Sequence, residues 1–501
     1  MKLNFNPIVD NQLAYFPKKY ANQAILLYFV ALGACTILYM KAALPFAIMA
    51  MGIVSILLFF NGSNALGRKW ARLSEKAFVK KVLVYAFIIR LVYAVFIVLY
   101  NNAHYGIYWE SNGGDIGFYF PTGLQLAKMH GVNLWAGFQT LLDWNVQISD
   151  TGYIIYIQLV SAILGLNPEA VADHDRLGHE YVLIFLALKA VMGAYTCIFT
   201  YRIAQRHFGE KVARMTAIFC MLQWNMIWWC GSMMKETEMV FIAMLFVNQM
   251  DKVIYGLNLK PWYIAATVLI GLSLFTFRSA LFMTSIAATG LALVLTHAHT
   301  LSTGKKVLAG IMIAAAMAFA MGDTIMEEVQ EVVNTAQNSN YQKTNMEWRS
   351  NRSGGGNKFA KYAGAAVFAP LIFTIPFPNM VYTTQDQEML MMVNGGNFEK
   401  NVLSFFIVFA MFQLLLSGQW RQHVFPIAYY VGYLAALVLS VFAQSGRFHM
   451  PIMPMAMMFG AYGLTLVTSK KHKQWFTYAL IVEVGFCIFW SWFKLAGRGL
   501  I

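Results

Sequence analysis

Apolar runs that are candidates to cross a lipid bilayer recur along almost the whole of this chain. They fall at Ala24–Met40, Pro45–Phe60, Lys80–Tyr100, Tyr181–Tyr201, Arg214–Trp229, Glu236–Met250, Trp262–Phe275, Leu281–His297 and Val307–Met321, and later at Asn401–Leu416, Val424–Phe442, Met453–Val467 and Trp475–Phe493. A hydrocarbon layer offers the backbone no water, so a crossing segment must close its own hydrogen bonds as a helix or join a closed barrel. These runs are continuous rather than alternating, which argues for helices and against a barrel. With 59% hydrophobic and 12% charged residues and a mean hydropathy of +0.54, the chain carries more apolar surface than a soluble globular fold buries. The expected fold is all-α: a polytopic integral membrane protein of about 12–15 membrane helices. Two long extracytoplasmic loops with juxtamembrane helices complete the expectation.

Charge orients the spans. The stretch from Gly67 to Lys81 holds six Lys and Arg against one Glu, which places it on the cytoplasmic side. The basic segments around Arg202, Arg206, Lys211 and Arg214, then Lys252 with Lys260, Lys305-Lys306, Arg421-Gln-His423 and Lys470–Lys473 belong on that same side. These assignments agree if two weaker segments, Gly152–Leu166 and Ala363–Pro378, enter and leave on one side. The first has about 15 residues where a span needs about 20, and the second carries Pro370, Pro376 and Pro378, which break helices. The resulting organisation has four parts. Residues 1–23 form a polar cytoplasmic N-terminus with no cleavable signal pattern. Residues 24–321 hold the N-terminal membrane helices, including an external loop at 101–150. Residues 322–400 form an extracytoplasmic lid with a re-entrant segment, and 401–501 hold the C-terminal membrane helices.

The net charge of +14 reads as the positive-inside bias of these loops, so nucleic acid is not an expected partner. The five cysteines are scattered in or beside apolar segments and show neither metal spacing nor a disulfide framework.

Charge at membrane level is costly, which makes each such residue a functional candidate. Asp115 follows Gly113-Gly114 just where the Lys80–Tyr100 run leaves the membrane on the outer side; its plainer reading is a turn residue. Lys235 and Glu236 open a span at its outer end, where an acid also suits the helix dipole. Arg278 sits in an outer connection, where an arginine can equally snorkel to lipid phosphate. Arg447 lies in Gln444-Ser-Gly-Arg-Phe-His449, with His449 favoured as a hydrogen-bonding partner rather than a catalyst. Lys189, near the middle of its span, is either paired inside the bundle or nearer the surface. A carboxylate with several cations on one face suits one reaction class: the acid deprotonates an incoming hydroxyl or amine, and the cations stabilise a phosphate leaving group.

The order of these pieces resembles the GT-C glycosyltransferases, including bacterial mannosyl- and aminoarabinosyl-transferase-like members. Gly114-Asp-Ile-Gly-Phe-Tyr119 is similar to the first external loop of that family, and Thr151–Gln158 to its next element. The basic turn Tyr201–Gly209, Lys235-Glu236, Leu272–Leu281 and Gly446–Pro454 follow in the family's order. The sequence departs from the pattern in carrying two spans before the usual first helix and Ser279 in place of a proline. It also lacks an adjacent Asp-Glu pair, Glu110 lying five residues from Asp115. The loop around Ser353–Gly356 and Pro376-Phe-Pro378 also resembles O-antigen polymerase-type proteins.

The resemblance implies inverting transfer of a sugar from a polyprenyl-phosphate-linked donor to a glycan, lipid or protein acceptor, on the outer side of a bacterial inner membrane. Asp115 would be the base. Lys235, Arg278 and Arg447 would hold the phosphate, and Glu236 would orient acceptor or cation. Glu110 and His449 complete the candidate substrate-binding set. A divalent metal is compatible with nearby acids, but no ligand spacing calls for one, and no cofactor is expected.

Overall fold

Long apolar runs satisfy their backbone polar groups most readily as helices, and helices dominate this chain. The structure, a computed structural model, describes residues 15–109, 114–166, 179–296, 369–384, 388–439 and 445–501. Among the described residues no strand occurs. The first half contains α1 (Lys18–Leu38), α2 (Phe46–Trp70), α3 (Glu75–Tyr105), α4 (Gly114–His130), α5 (Leu134–Asp143) and α6 (Ile148–Leu164). Next come α7 (His179–Leu222), α8 (Trp224–Trp228), α9 (Glu236–Ile254), α10 (Pro261–Phe275) and α11 (Ser279–Leu295). The last third holds α12 (Glu388–Met392), α13 (Asn394–Leu416), α14 (Val424–Leu439), α15 (Met453–Leu466) and α16 (Lys470–Ala496).

Six stretches among the described residues are long and apolar enough to cross a membrane: α1, α2, α3, Tyr181–Leu222 of α7, α13 and α16. Large apolar side chains such as Leu26, Ile37, Val92, Leu99 and Leu416 lie exposed on these helices. A soluble monomer rarely shows so much contiguous apolar surface. The chain is a multi-pass membrane protein whose described residues are predominantly helical. The expected span Val307–Met321, the segment 322–368 and Glu110 lie outside the described residues.

Three local features set the interior. Gly209, at φ +83° and ψ 176°, interrupts α7, in a backbone region that glycine reaches without strain. The chain folds back there, since Cys197 before it and Cys220 after it both approach the Arg90 guanidinium. The two limbs match the two expected spans, but the second is not one helix through Trp229. It stops at Leu222, and α8 starts anew at Trp224.

The break lies inside the bundle, where loose backbone groups need partners. Arg90 donates to the carbonyls of Cys220 and Met221 at 3.0 and 3.3 Å. The Trp224 N–H donates to Glu399 at 2.9 Å, and the Gln223 side chain donates to the Gly396 carbonyl and accepts from the Met226 N–H.

The Asn394-Gly-Gly-Asn397 stretch, inside the 322–400 segment expected as an external lid, is instead the first turn of α13. The reason is close packing: a Cβ on Gly395 would stand 2.9 Å from the Gly52 carbonyl and 1.8 Å from Ser55 Oγ of α2. The described part of Ala363–Pro378 forms no spanning helix. Residues 375–381 run irregularly and buried, tied down by Lys400 donating to the Ile375 carbonyl and by Ser404 Oγ donating to the Phe373 carbonyl. All five cysteines are free and buried.

Candidate functional site

Five separate chain segments converge at one end of the bundle, and each arrives by a local device. Asp115 stands in the first turn of α4 and Glu236 in the first turn of α9, where carboxylates complement the helix dipole. Arg278 precedes α11 in extended backbone. Arg447 lies in a 3-10 turn, Gly446–Ile452, that runs into α15 through Pro454 near its start. Asp150 opens α6.

Close approach at Gly152 holds two of these segments together. A Cβ there would lie 2.3 Å from Thr276 Oγ1 and 2.8 Å from the Phe277 ring, while the Gly152 N–H donates to the Thr276 carbonyl at 2.9 Å. Tyr153 Oη, one residue on, donates to the Met233 carbonyl. The start of α6 is thereby stapled to both the Arg278 turn and the Lys235 turn.

The charges form two linked rows. Arg447 bridges Asp115, at 2.7 Å between Nη2 and Oδ2, and Glu236, through Nε. Glu236 also faces the Arg278 guanidinium at 3.7 Å. In the second row Lys235 is ion-paired with Asp150 and donates to the Ser149 carbonyl at 2.7 Å. Tyr119 of α4 donates to the same Asp150 oxygen at 2.8 Å. Three cations face three carboxylates, so the set is formally neutral.

Exposure grades across it: the side chain of Asp115 is 44% exposed, Asp150 26%, Arg447 19% and Glu236 0%. Asp115 is the open mouth of the cluster and Glu236 its sealed floor.

Environment tunes these groups. Burial works against the Arg447 charge, but Glu236 and Asp115 outweigh it and hold the guanidinium above its usual range. Burial pushes the Lys235 ammonium below its usual value, with Asp150 opposing. Burial, followed by the charges of Asp150 and Asp115, raises the Tyr119 phenol, which therefore stays a neutral hydrogen-bond donor.

Of the residues singled out from sequence, Asp115, Glu236, Arg278 and Arg447 meet directly, and Lys235 joins through its neighbour. One alternative reading falls. Arg278 does not snorkel outward: it is 8% exposed, donates to Tyr433 Oη at 3.2 Å and lies 4.4 Å from the Phe448 ring centre. Inside a packed bundle, an acid and an aromatic face serve a guanidinium better than a distant lipid head. Lys235, expected as a phosphate holder, is ion-paired with Asp150. His449 is buried in the same turn as Arg447, and Lys189 resolves as paired, 2.7 Å from Glu238.

Asp150, Tyr119 and Tyr433 were missed. The sequence did carry a signal for Asp150, an acid opening an apolar helix just as Asp115 and Glu236 do. Tyr433, one aromatic inside an apolar span, carries none. Among the described residues no group of three or more His, Cys, Asp or Glu is arranged to hold a metal ion. Comparison with known protein families, with curated proteins and with solved structures finds no match to this chain.

Proposed function

We propose that the protein is a membrane glycosyltransferase of the GT-C kind, moving a sugar from a polyprenyl-phosphate donor to a glycan, lipid or protein acceptor. In this reading the chain has about 12–15 membrane helices and two long extracytoplasmic loops, lies in a bacterial inner membrane, and turns its charged cluster outward. The observation that carries the reading is that Arg447 is shared between an open carboxylate, Asp115, and a sealed one, Glu236.

A donor phosphate arriving at the mouth competes with Asp115 for the same guanidinium. As phosphate takes Arg447, the Asp115 carboxylate loses its cation and becomes more basic. It then accepts the proton of the acceptor hydroxyl while that oxygen attacks the anomeric carbon. The bond from that carbon to the phosphate oxygen breaks, the configuration inverts, and the leaving phosphate keeps its charge against Arg447 and Arg278. Glu236 remains on the floor and keeps both arginines oriented.

The test is sugar release from polyprenyl-phosphate donors in membranes carrying wild type or Asp115→Asn. Loss of turnover by about 10²–10⁴-fold, at equal insertion, is the expected result. Unchanged turnover would remove Asp115 from the chemistry and overturn the reading.

A second reading has its own observation. The α7–α8 break and the irregular buried segment 375–381 are features that transporters place around a substrate path. A transporter or flippase of lipid-linked sugars would move labelled lipid across the membrane while consuming no donor in either protein.

A further inference from the structure

At the end of α9 opposite Glu236, positive charge gathers in excess. Arg202 and Arg206 of α7 both act electrostatically on the Lys252 ammonium, in the last turn of α9. The acid beside them, Asp251, is buried and already ion-paired with Arg206. Glu210, the next acid along α7, is taken by Arg214 at 2.6 Å and by the Tyr201 hydroxyl at 2.7 Å. Three cations thus stand against one carboxylate, which leaves a surplus of positive charge.

Elsewhere at this end the chain answers its cations from within. The Arg214 guanidinium pairs with Glu210 and also donates to the carbonyls of Trp70, Ala71 and Leu73. Arg202 is exposed and Lys252 half-buried, and among the described residues neither is paired with a carboxylate. A helix C-terminus favours one cation, which accounts for Lys252 but not for two arginines beside it.

The place is held firmly and borders lipid. The Leu257 and Asn258 N–H groups donate to the Lys252 carbonyl at 2.7 and 3.2 Å, in a turn that Gly256 permits at φ +68°. The Lys252 ammonium lies 5.9 Å from the Tyr263 ring centre, and Tyr263 meets the Trp262 ring edge-on at 5.8 Å. Trp262, in the first turn of α10, is 66% exposed, and so is Leu269 two turns further on the same face. The surplus charge therefore adjoins an outward apolar strip that begins with a tryptophan, a residue suited to headgroup depth.

We infer that this corner of α7, α9 and α10 is a binding site for an anionic phospholipid. Its phosphate is held by Arg202 and Lys252, and its acyl chain lies along Trp262 and Leu269. Basic pockets between membrane helices attract anionic headgroups in this way. A zwitterionic phospholipid brings its own cation and leaves the surplus as it was, while free phosphate makes no use of the apolar strip. None of these residues belongs to the Asp115 cluster, so the site is independent of the glycosyl-transfer reading.

The test is native mass spectrometry of the purified full chain in detergent, titrated with phosphatidylglycerol or phosphatidylcholine of identical acyl chains. Wild type should retain phosphatidylglycerol about tenfold more tightly. Arg202→Gln with Lys252→Gln should abolish that preference. Lys76→Gln with Lys80→Gln should leave it intact; these lie on α3 at the same end, where Phe78 meets Tyr201. Equal retention of the two lipids by wild type would overturn the inference. So would a preference that survives the Arg202 and Lys252 changes, or one that falls as far in the Lys76 and Lys80 variant, which would reduce it to a general attraction of basic loops. Displacement of the lipid by inorganic phosphate, at ionic strength matched with chloride, would put a soluble anion in its place and overturn the lipid assignment. Should the double variant not fold, Arg202→Gln alone decides, because that side chain is exposed: an unchanged preference refutes the site.

Discussion

Helix α9 begins at Glu236 and carries Asp251 one turn from its end, about 22 Å away at 1.5 Å per residue. Both carboxylates are fully buried and both face an arginine, yet the clusters around them are built to different ends. At Asp251 the carboxylate is covered and no second, open carboxylate follows it. Arg206 of α7 donates to one oxygen and to Asn248, and His207 sits 2.7 Å from the other oxygen. The His207 and His423 Nδ1 atoms lie 2.9 Å apart, within hydrogen-bonding distance. Tyr255 Oη closes the group by donating to the Gln422 carbonyl at 2.8 Å. That cluster rivets α7, α9 and the turn before α14, and its carboxylate has no exposed surface.

At Glu236 the chain of charges continues outward through Arg447 to Asp115, which is open. The same residue types thus make a rivet where the last member is covered and a candidate site where it is not. Exposure of the terminal carboxylate, not its residue type, separates the two.

The sharpest way to break this comparison is to neutralise one carboxylate at each end. Asp251→Asn leaves Arg206 and His207 facing an uncharged amide in a sealed space. Removing one member of a buried pair costs about 3–5 kcal/mol, so thermal unfolding in detergent should show a large fall. Asp115→Asn removes the open partner of an arginine that keeps Glu236. Screened by solvent, that change should cost within about 1 kcal/mol of stability, whatever it does to turnover. Equal losses of stability would mean that Asp115 is a rivet as well.

A smaller effect sharpens the inner cluster by pH. Burial lowers the His423 pKa well below its ordinary 6.5, the neighbouring His207 lowers it further, and Asp251 opposes both. The folded protein therefore binds fewer protons at His423 than the unfolded chain does. Its stability is complete above pH 6.5 and is lost as the pH falls below that value. From pH 7.5 to 5.5 one such histidine removes on the order of 1 kcal/mol. The slope of melting temperature against pH over this window should flatten in His423→Gln. A wild-type protein that grows more stable in acid would show that the buried pair holds an extra proton.

Much of this arrangement was legible in the sequence, and the reason is depth. Charge in a membrane protein is expensive enough that Asp115, Glu236, Arg278 and Arg447 could each be singled out without any knowledge of their neighbours. What could not be read was pairing, because a guanidinium's partner depends on which helices touch. Lys235, expected to hold phosphate, is ion-paired with Asp150; Arg278, expected to hold phosphate or else to snorkel to lipid, turns inward to Glu236 and Tyr433. The interruption at Gln223 was equally hidden. The stretch from Arg214 to Trp229 reads as one apolar run in which only Gln223 and Asn225 mark the break, and the groups that take up its loose backbone there, Arg90 and Glu399, lie far away in sequence. The α13 start, inside the expected lid, was hidden for a related reason: two glycines favour a turn locally, but here they let α2 come close.

The finest probe of the outer cluster is Tyr119→Phe. The Tyr119 hydroxyl donates to the Asp150 oxygen that also holds Lys235, and because its phenol is held neutral, that donation persists across ordinary pH. Phenylalanine keeps the ring against Tyr153 and removes only the donor, so the expected cost is about 1 kcal/mol. Asp150 is 26% exposed, and water can replace the lost donor in part. The variant should melt slightly lower and keep most of its turnover, because Tyr119 reaches Asp115 only through charge and not by contact. A loss as large as that of Asp251→Asn would mean that the Asp150 row is sealed as tightly as the inner cluster. The distinction between an open end and a riveted end of α9 would then fail.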